Sequence, residues 1–228
     1  MRKLIIACMG LVLAASTYAV PLNLYNDTLY HDGGEGIVAT PDWNNEGTWI
    51  NWNISSVTPD LWRYEYVFHT DGSDISHITL ELTVGAVAGD FSNWQYLYSS
   101  VEEGDPTFGW FSPDTGNSNP GMPEPIYGVT MNLASDSSVF GFSFDTWRSP
   151  VWGDFYAKDG RHGDFTAPDR GFTYAYNAGF AMDDANDGYH IGVPNGHSVS
   201  DPGTTAALLG LAMAGIGVFR RHVSVKGV

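Results

Sequence analysis

Leu61-Trp62-Arg63-Tyr64-Glu65-Tyr66-Val67-Phe68-His69 decides the fold class of this chain. Trp62, Tyr64, Tyr66 and Phe68 occupy alternate positions, with Arg63, Glu65 and His69 between them and Val67 the one apolar exception. A period of two is the mark of a strand with one buried and one wetter face. The same period recurs outward along the chain. Ile78, Leu80, Leu82 and Val84 alternate with His77, Thr79, Glu81 and Thr83. Tyr127, Val129, Met131 and Leu133 alternate with Gly128, Thr130 and Asn132, and Phe140, Phe142 and Phe144 with Gly141, Ser143 and Asp145.

Turn signals separate these runs: Asp71-Gly72, Pro113-Asp114, Asn119-Pro120-Gly121, Asp159-Gly160 and Asp187-Gly188. No segment between 20 and 192 shows helical periodicity. Short strands with Gly- and Pro-rich turns predict one all-β domain over 20–192, an antiparallel β-sandwich of jelly-roll type. The stretch 104–125 carries five prolines and reads as a long loop, with Phe108, Trp110 and Phe111 either capping the sandwich or facing a ligand.

The two ends carry a different chemistry. Met1-Arg2-Lys3, an apolar centre over 4–15 and Ser16-Thr17-Tyr18-Ala19 form a secretory signal peptide, 1–19, with cleavage expected after Ala19. Cys8 is the only cysteine and falls in this leader, so the exported part has no disulfide, thiolate metal site or cysteine nucleophile. At the other end, 204–219 contains no charge and is followed by Arg220 and Arg221. Sixteen residues of helix span roughly 24 Å, short of the usual membrane core. The flanks favour a membrane segment: Pro202-Gly203 stops the helix upstream, and the arginines end it as a cytoplasmic stop. A surface core helix would show a polar face at period 3.6, and this run has none. The expected organisation is therefore leader, sandwich, linker 193–203, transmembrane helix 204–219 and basic cytoplasmic tail 220–228.

Val199, Ser200, Asp201, Pro202, Gly203, Thr204, Thr205 and Ala206, ahead of the Leu-rich run and the arginines, resemble the PEP-CTERM class of bacterial sorting signals, in its Val-Pro-Asp-x-Gly branch. Ser200 stands where the family has proline. Val193-Pro194-Asn195-Gly196 is a second partial match, with Asn195 in place of the acid. The two matches leave two candidate recognition sites. The resemblance implies an exosortase-type membrane protease as partner, and a chain held by its C-terminal helix until it is sorted to the cell surface or the extracellular matrix. Ile75-Ser76-His77-Ile78, Asn119-Pro120-Gly121-Met122-Pro123, Ile126-Tyr127-Gly128, the run 149–160 and Tyr176-Asn177-Ala178-Gly179-Phe180 come in an order similar to the exported β domains that precede such tails. Those families imply fold and location and no catalytic residue.

Five of the ten basic residues lie in the two ends, which leaves 20–192 with 5 basic and 25 acidic residues, a net charge near −20. Such a polyanion repels nucleic acid and anionic lipid. Solubility outside the cell is one use of this charge and calcium binding another. Asp183-Asp184-Ala185-Asn186-Asp187-Gly188 starts like a calcium loop, but Ala185 and Pro194 stand where ligands three and twelve belong. Asp183, Asp184 and Asp187 remain the calcium candidates, beside a second acidic loop with Asp159, Asp164 and Asp169. The histidines show no zinc spacing. Asp154, on one strand face with Trp152 and Tyr156, is the carboxylate that glycosidic chemistry would use.

Sugar binding suits the aromatic content better. Trp43, Trp49, Trp52 and Trp62 fall within twenty residues. Trp49 and Trp52 have opposite parity, so one strand places one in the core and the other on the surface. Both stand as carbohydrate-binding candidates. The expectation is a non-enzymatic surface or matrix protein associated with exopolysaccharide, without catalytic residues or resident cofactor. The alternatives are a calcium-stabilised carbohydrate-binding module and a secreted glycan hydrolase.

Overall fold

The computed structural model describes residues 23–194, except 34–35, 41, 72–73, 99–103, 114–118, 134–136, 160–171 and 181–188. The leader, 204–219, the basic tail and the sorting residues Asn195, Gly196, Val199, Asp201, Pro202, Gly203, Arg220 and Arg221 lie outside the described residues. So do Asp183, Asp184 and Asp187. No helix among the described residues is long and apolar enough to cross a membrane.

The described chain is all-β and antiparallel. In order it forms β1 (Asn26–Tyr30), β2 (Ile37–Ala39), β3 (Trp49–Thr58), β4 (Leu61–His69), β5 (His77–Glu81), β6 (Phe91–Tyr96), β7 (Thr107–Phe111), β8 (Ile126–Asn132), β9 (Val139–Thr146), β10 (Val151–Gly153), β11 (Phe155–Lys158), β12 (Tyr174–Asn177) and β13 (Ile191–Val193). One sheet has the order β1-β3-β4-β9-β6, a second β2-β12-β11-β5-β8-β7, and β10 pairs with β13 in a short ribbon.

The run 61–69 behaves as its alternation predicts. Tyr64, Tyr66 and Phe68 are buried, and β4 sits at the centre of the five-stranded sheet between β3 and β9. Its inward residues meet Ile50, Trp52 and Ile54 on one side and Phe140, Phe142 and Phe144 on the other. The second sheet contributes Ile78, Leu80, Val129, Met131, Phe155 and Ala157 to the same core. Phe68 meets Phe155 at 5.9 Å between ring centroids, and Phe91 meets Phe108 at 5.2 Å, so the two sheets close on each other at both places. Each large side chain buried here contributes on the order of 1.5–3 kcal/mol. The hydroxyls inside are bonded: Tyr64 donates to the Arg148 carbonyl at 2.9 Å and Tyr66 to the Gly192 carbonyl at 2.7 Å. Burial pushes both phenol pKa values up.

Three expectations need correction. The stretch 104–125 is not all loop, because Thr107–Phe111 is the edge strand β7. Trp152 and Tyr156 do not share a face. The chain leaves the β10–β13 ribbon and enters the six-stranded sheet at Asp154, which breaks the parity; Trp152 packs edge-on against Trp52 and Tyr156 joins a separate outer cluster. The domain also does not stop at residue 192. Val193 is fully buried in β13, opposite Val151, and Pro194 is buried beside it. Both therefore belong to the sandwich rather than to a linker.

The outer face of the six-stranded sheet is covered. Met122, Ile126, Tyr156 and Phe180 form a second small core there, with Phe111, Tyr174 and Tyr176 packed around it. Tyr156 donates to the Pro120 carbonyl at 2.7 Å, which pins the 119–125 segment across the sheet. The Tyr174 ring fills the space that a Cβ at Gly121 would need, and Gly121 has φ +69°, so glycine is required there on both counts. Beneath this cover, Thr79 and Thr130 share a 2.6 Å hydrogen bond. His77 is 8 % exposed, and burial followed by the nearby Lys158 charge lowers its pKa to about 4.

Candidate functional site

Among the described residues, the outer face of the five-stranded sheet has no such cover over its β1–β3–β4 part. Register builds it from residues far apart in sequence. Tyr30 on β1 pairs with Trp49 on β3, which pairs with His69 on β4, so three aromatic rings lie in one lateral row. Neighbouring strands are about 4.8 Å apart. Trp49 and His69 stack at 5.1 Å with an interplanar angle of 7°. The His69 Nδ1–H donates to the Gly47 carbonyl at 2.7 Å, which fixes the tautomer and holds the ring. The face of Trp49 turned away from His69 lies on the side of Tyr30, which is 53 % exposed.

The adjoining rows are polar. Asn51 Nδ2 donates to the Asp27 carbonyl and to Thr28 Oγ1, both at 2.8 Å. Asn53 Nδ2 donates to Glu65 Oε2 at 2.8 Å. These bonds hold the amides in place beside the rings. Further along, Arg63 grips Asp145 through Nε at 2.8 Å and Nη2 at 2.9 Å, and Asn93 adds a third donor at 2.7 Å. The Arg63 hydrogen bond is the main reason the Asp145 carboxyl is held below its ordinary value. Asn93 reaches it from the bulge of β6, at φ 53°, a conformation that Asn tolerates.

A fourth ring joins the face at Gly141. This glycine interrupts the Phe140, Phe142, Phe144 alternation at an outward position of β9. A Cβ there would stand 2.5 Å and 2.7 Å from two atoms of the Tyr98 ring. Tyr98 therefore lies over the glycine while remaining 62 % exposed. An antiparallel face bearing exposed rings and fixed amides is suited to a flat, hydroxyl-rich ligand. Tyr30 and Tyr98 offer electron-rich faces to ring C–H groups beside the stacked Trp49–His69 pair, and the amides offer directional hydrogen bonds.

The other polar concentration is buried. Asp154 Oδ1 accepts from Asn177 Nδ2 at 2.7 Å and from His190 Nδ1 at 2.9 Å. Glu81 Oε2 accepts the Asp154 N–H at 3.0 Å, and Asn177 Oδ1 the Phe155 N–H at 2.9 Å. His190 is 5 % exposed, and the Gly179 backbone packs against it so closely that a Cβ would stand 2.7 Å from Nε2. The cluster ties together β5, β11, β12 and the approach to β13. It brings a carboxylate and a histidine together beneath packed backbone.

Of the two tryptophan candidates, Trp49 is on the outer face and half-buried. Trp52 is the core member, fully buried, its indole N–H donating to the Asn23 and Leu24 carbonyls at 3.2 and 3.1 Å. It is not available to a ligand. Tyr30, His69 and Tyr98 were missed by sequence reasoning. Strand register brings the first two to Trp49, and the one local signal for the third was an outward glycine within a strand. Among the described residues no group of three or more His, Asp or Glu is placed to hold a metal ion.

Fold and face define an antiparallel β-sandwich with one covered and one open sheet face, the open one lined with aromatic rings and amides. No protein-family model matches this chain. No curated protein and no solved structure matches it.

Proposed function

We propose that this chain is an exported, non-enzymatic surface or extracellular-matrix protein that engages exopolysaccharide through the open face of its five-stranded sheet. The observation that carries the reading is the row Tyr30, Trp49 and His69, set beside amides already oriented by bonds to their own strands. The signal peptide 1–19 exports it, and the apolar run 204–219 holds it in the membrane. An exosortase-type protease then processes it at the Val199–Gly203 motif or at Val193–Gly196. Burial of Val193 and Pro194 inside the sandwich favours the later motif, since a protease needs an extended, accessible chain. Its sandwich is of the jelly-roll type.

A calcium-stabilised carbohydrate-binding module differs only in needing the acidic loops to be loaded. Hydrolysis through Asp154 is not advanced, because Asn177 and His190 already hold that carboxylate under packed backbone.

The test is retention of the purified chain by the exopolysaccharide of the producing cells, with calcium and with a chelator. Retention in both conditions, weakened by Trp49→Ala, supports the reading. Retention only with calcium moves the site to the acidic loops. No retention under either condition removes the glycan function.

A further inference from the structure

We infer that the glycan taken by this face is an uncharged polysaccharide, laid across the strands along Tyr30, Trp49 and His69. The inference rests on the glycan reading above and adds the class of ligand. It is carried by where the cations are. Among the described residues Arg63 is the cation of this face, 39 % exposed at its side chain, and its charge is paired with Asp145 through Nε at 2.8 Å and Nη2 at 2.9 Å. Arg148 is 9 % exposed and bonded to Asp90 at 2.8 Å. Lys158 is 8 % exposed, lies under the cover of the other sheet, and its Nζ stands 5.9 Å from the Phe172 ring centroid. These are all the lysines and arginines among the described residues; Arg161 and Arg170 lie outside them, between β11 and β12 of the other sheet.

Among the described residues, a uronate or sulfate on this face would therefore meet no arginine that is not already paired with a carboxylate, and no lysine. It would instead meet Glu65 and the field of a chain with net charge −16. Anionic glycans are recognised by cations in forked or clustered geometry. Hydroxyl groups need only amides, carboxylates and ring faces, which this surface supplies. The direction follows from the row itself. Tyr30 is the exposed ring of the row and Trp49 and His69 stack on each other beside it at 5.1 Å, so a chain crossing the strands meets Tyr30 and the edges of the stacked pair, whereas a chain running along one strand meets one ring.

The experiment uses the full-length protein in a polyoxyethylene detergent, which has no sugar headgroup, with a chelator present. Retention is measured on immobilised glucan, mannan and galactan and on polygalacturonate and alginate. The expected result is retention by at least one neutral polymer and by neither uronate polymer, unchanged between about 0.02 and about 0.5 M salt because no ion pair is involved. Trp49→Ala and Tyr30→Ala each weaken it about tenfold, while Trp110→Ala, an exposed ring on the edge strand of the other sheet, leaves it unchanged. Retention by the uronate polymers alone, lost at high salt, overturns the inference and leaves the glycan reading standing. Retention by no polymer overturns both.

Discussion

The two outer faces of this sandwich are built from similar residue types and treated in opposite ways. On the six-stranded sheet, Tyr156, Tyr174 and Tyr176 are roofed by Met122, Ile126 and Phe180. On the five-stranded sheet, Tyr30 and Tyr98 are more than half exposed, and Trp49 is half-buried. The covered face carries a neutral buried histidine and a bonded threonine pair, an arrangement that tolerates little change. The open face fixes its amides with hydrogen bonds yet leaves Tyr30 and Tyr98 in water. Exposing large rings is unfavourable for solubility and is retained where a surface binds something. On the function proposed above, the covered face serves stability and the open face recognition.

The comparison breaks most visibly in acid. His77 titrates near 4 in the folded protein and near 6.5 unfolded, so the unfolded chain binds the extra proton first. Stability is full above pH 6.5 and falls as pH drops through the window from 6.5 to about 4. The loss is on the order of 3 kcal/mol. Asp145, also held below its ordinary value, has the same sign but acts only below that window. Urea unfolding between pH 7 and pH 4 should show this slope in the native protein and not in His77→Gln. An equal slope in the variant would mean that the covered face is not its source.

Removing single hydroxyls sharpens the contrast. Tyr156→Phe leaves the buried Pro120 carbonyl without its 2.7 Å donor and should cost about 1–3 kcal/mol. Tyr30→Phe on the open face should stay within about 0.5 kcal/mol. Equal losses in denaturant unfolding would erase the distinction between the faces. A small stability effect is also expected at Gly141. Gly141→Ala must lift the exposed Tyr98 ring, which can rotate away, so stability should change by less than about 1 kcal/mol. Glycan retention should nevertheless fall several-fold, and unchanged retention would exclude Tyr98 from the site.

Much of the sandwich was readable in the sequence because β4 buries one face, and because β5, β8 and β9 carry polar residues or glycine at alternate positions even though both of their faces are buried. The alternations at 61–69, 127–133 and 140–144 place their apolar residues on the core side, and that at 78–84 does so through Leu82 but not at Val84, which is 63 % exposed beyond the end of β5. β7 was missed for the opposite reason. Phe108 faces the main core and Phe111 the outer cluster, so both sides are apolar and the alternation is lost. Trp152 and Tyr156 have equal parity, but the change of sheet at Asp154 separates them, and no local pattern announces such a switch. For the site, parity separated Trp49 from Trp52 but left open which faces outward. Tyr30 and His69 lie nineteen and twenty residues from Trp49 in sequence, and only pairing places them beside it.

The central claim is that the open face is the binding surface, and one measurement addresses it directly. Affinity for the retained neutral glycan is determined by calorimetry for the native chain, Trp49→Ala and Trp110→Ala. Both substitutions remove an indole at least partly in contact with solvent, one from each sheet. The account predicts at least about a tenfold loss for Trp49→Ala and native affinity for Trp110→Ala. Native affinity in Trp49→Ala together with loss in Trp110→Ala would place recognition on the edge of the other sheet and contradict it.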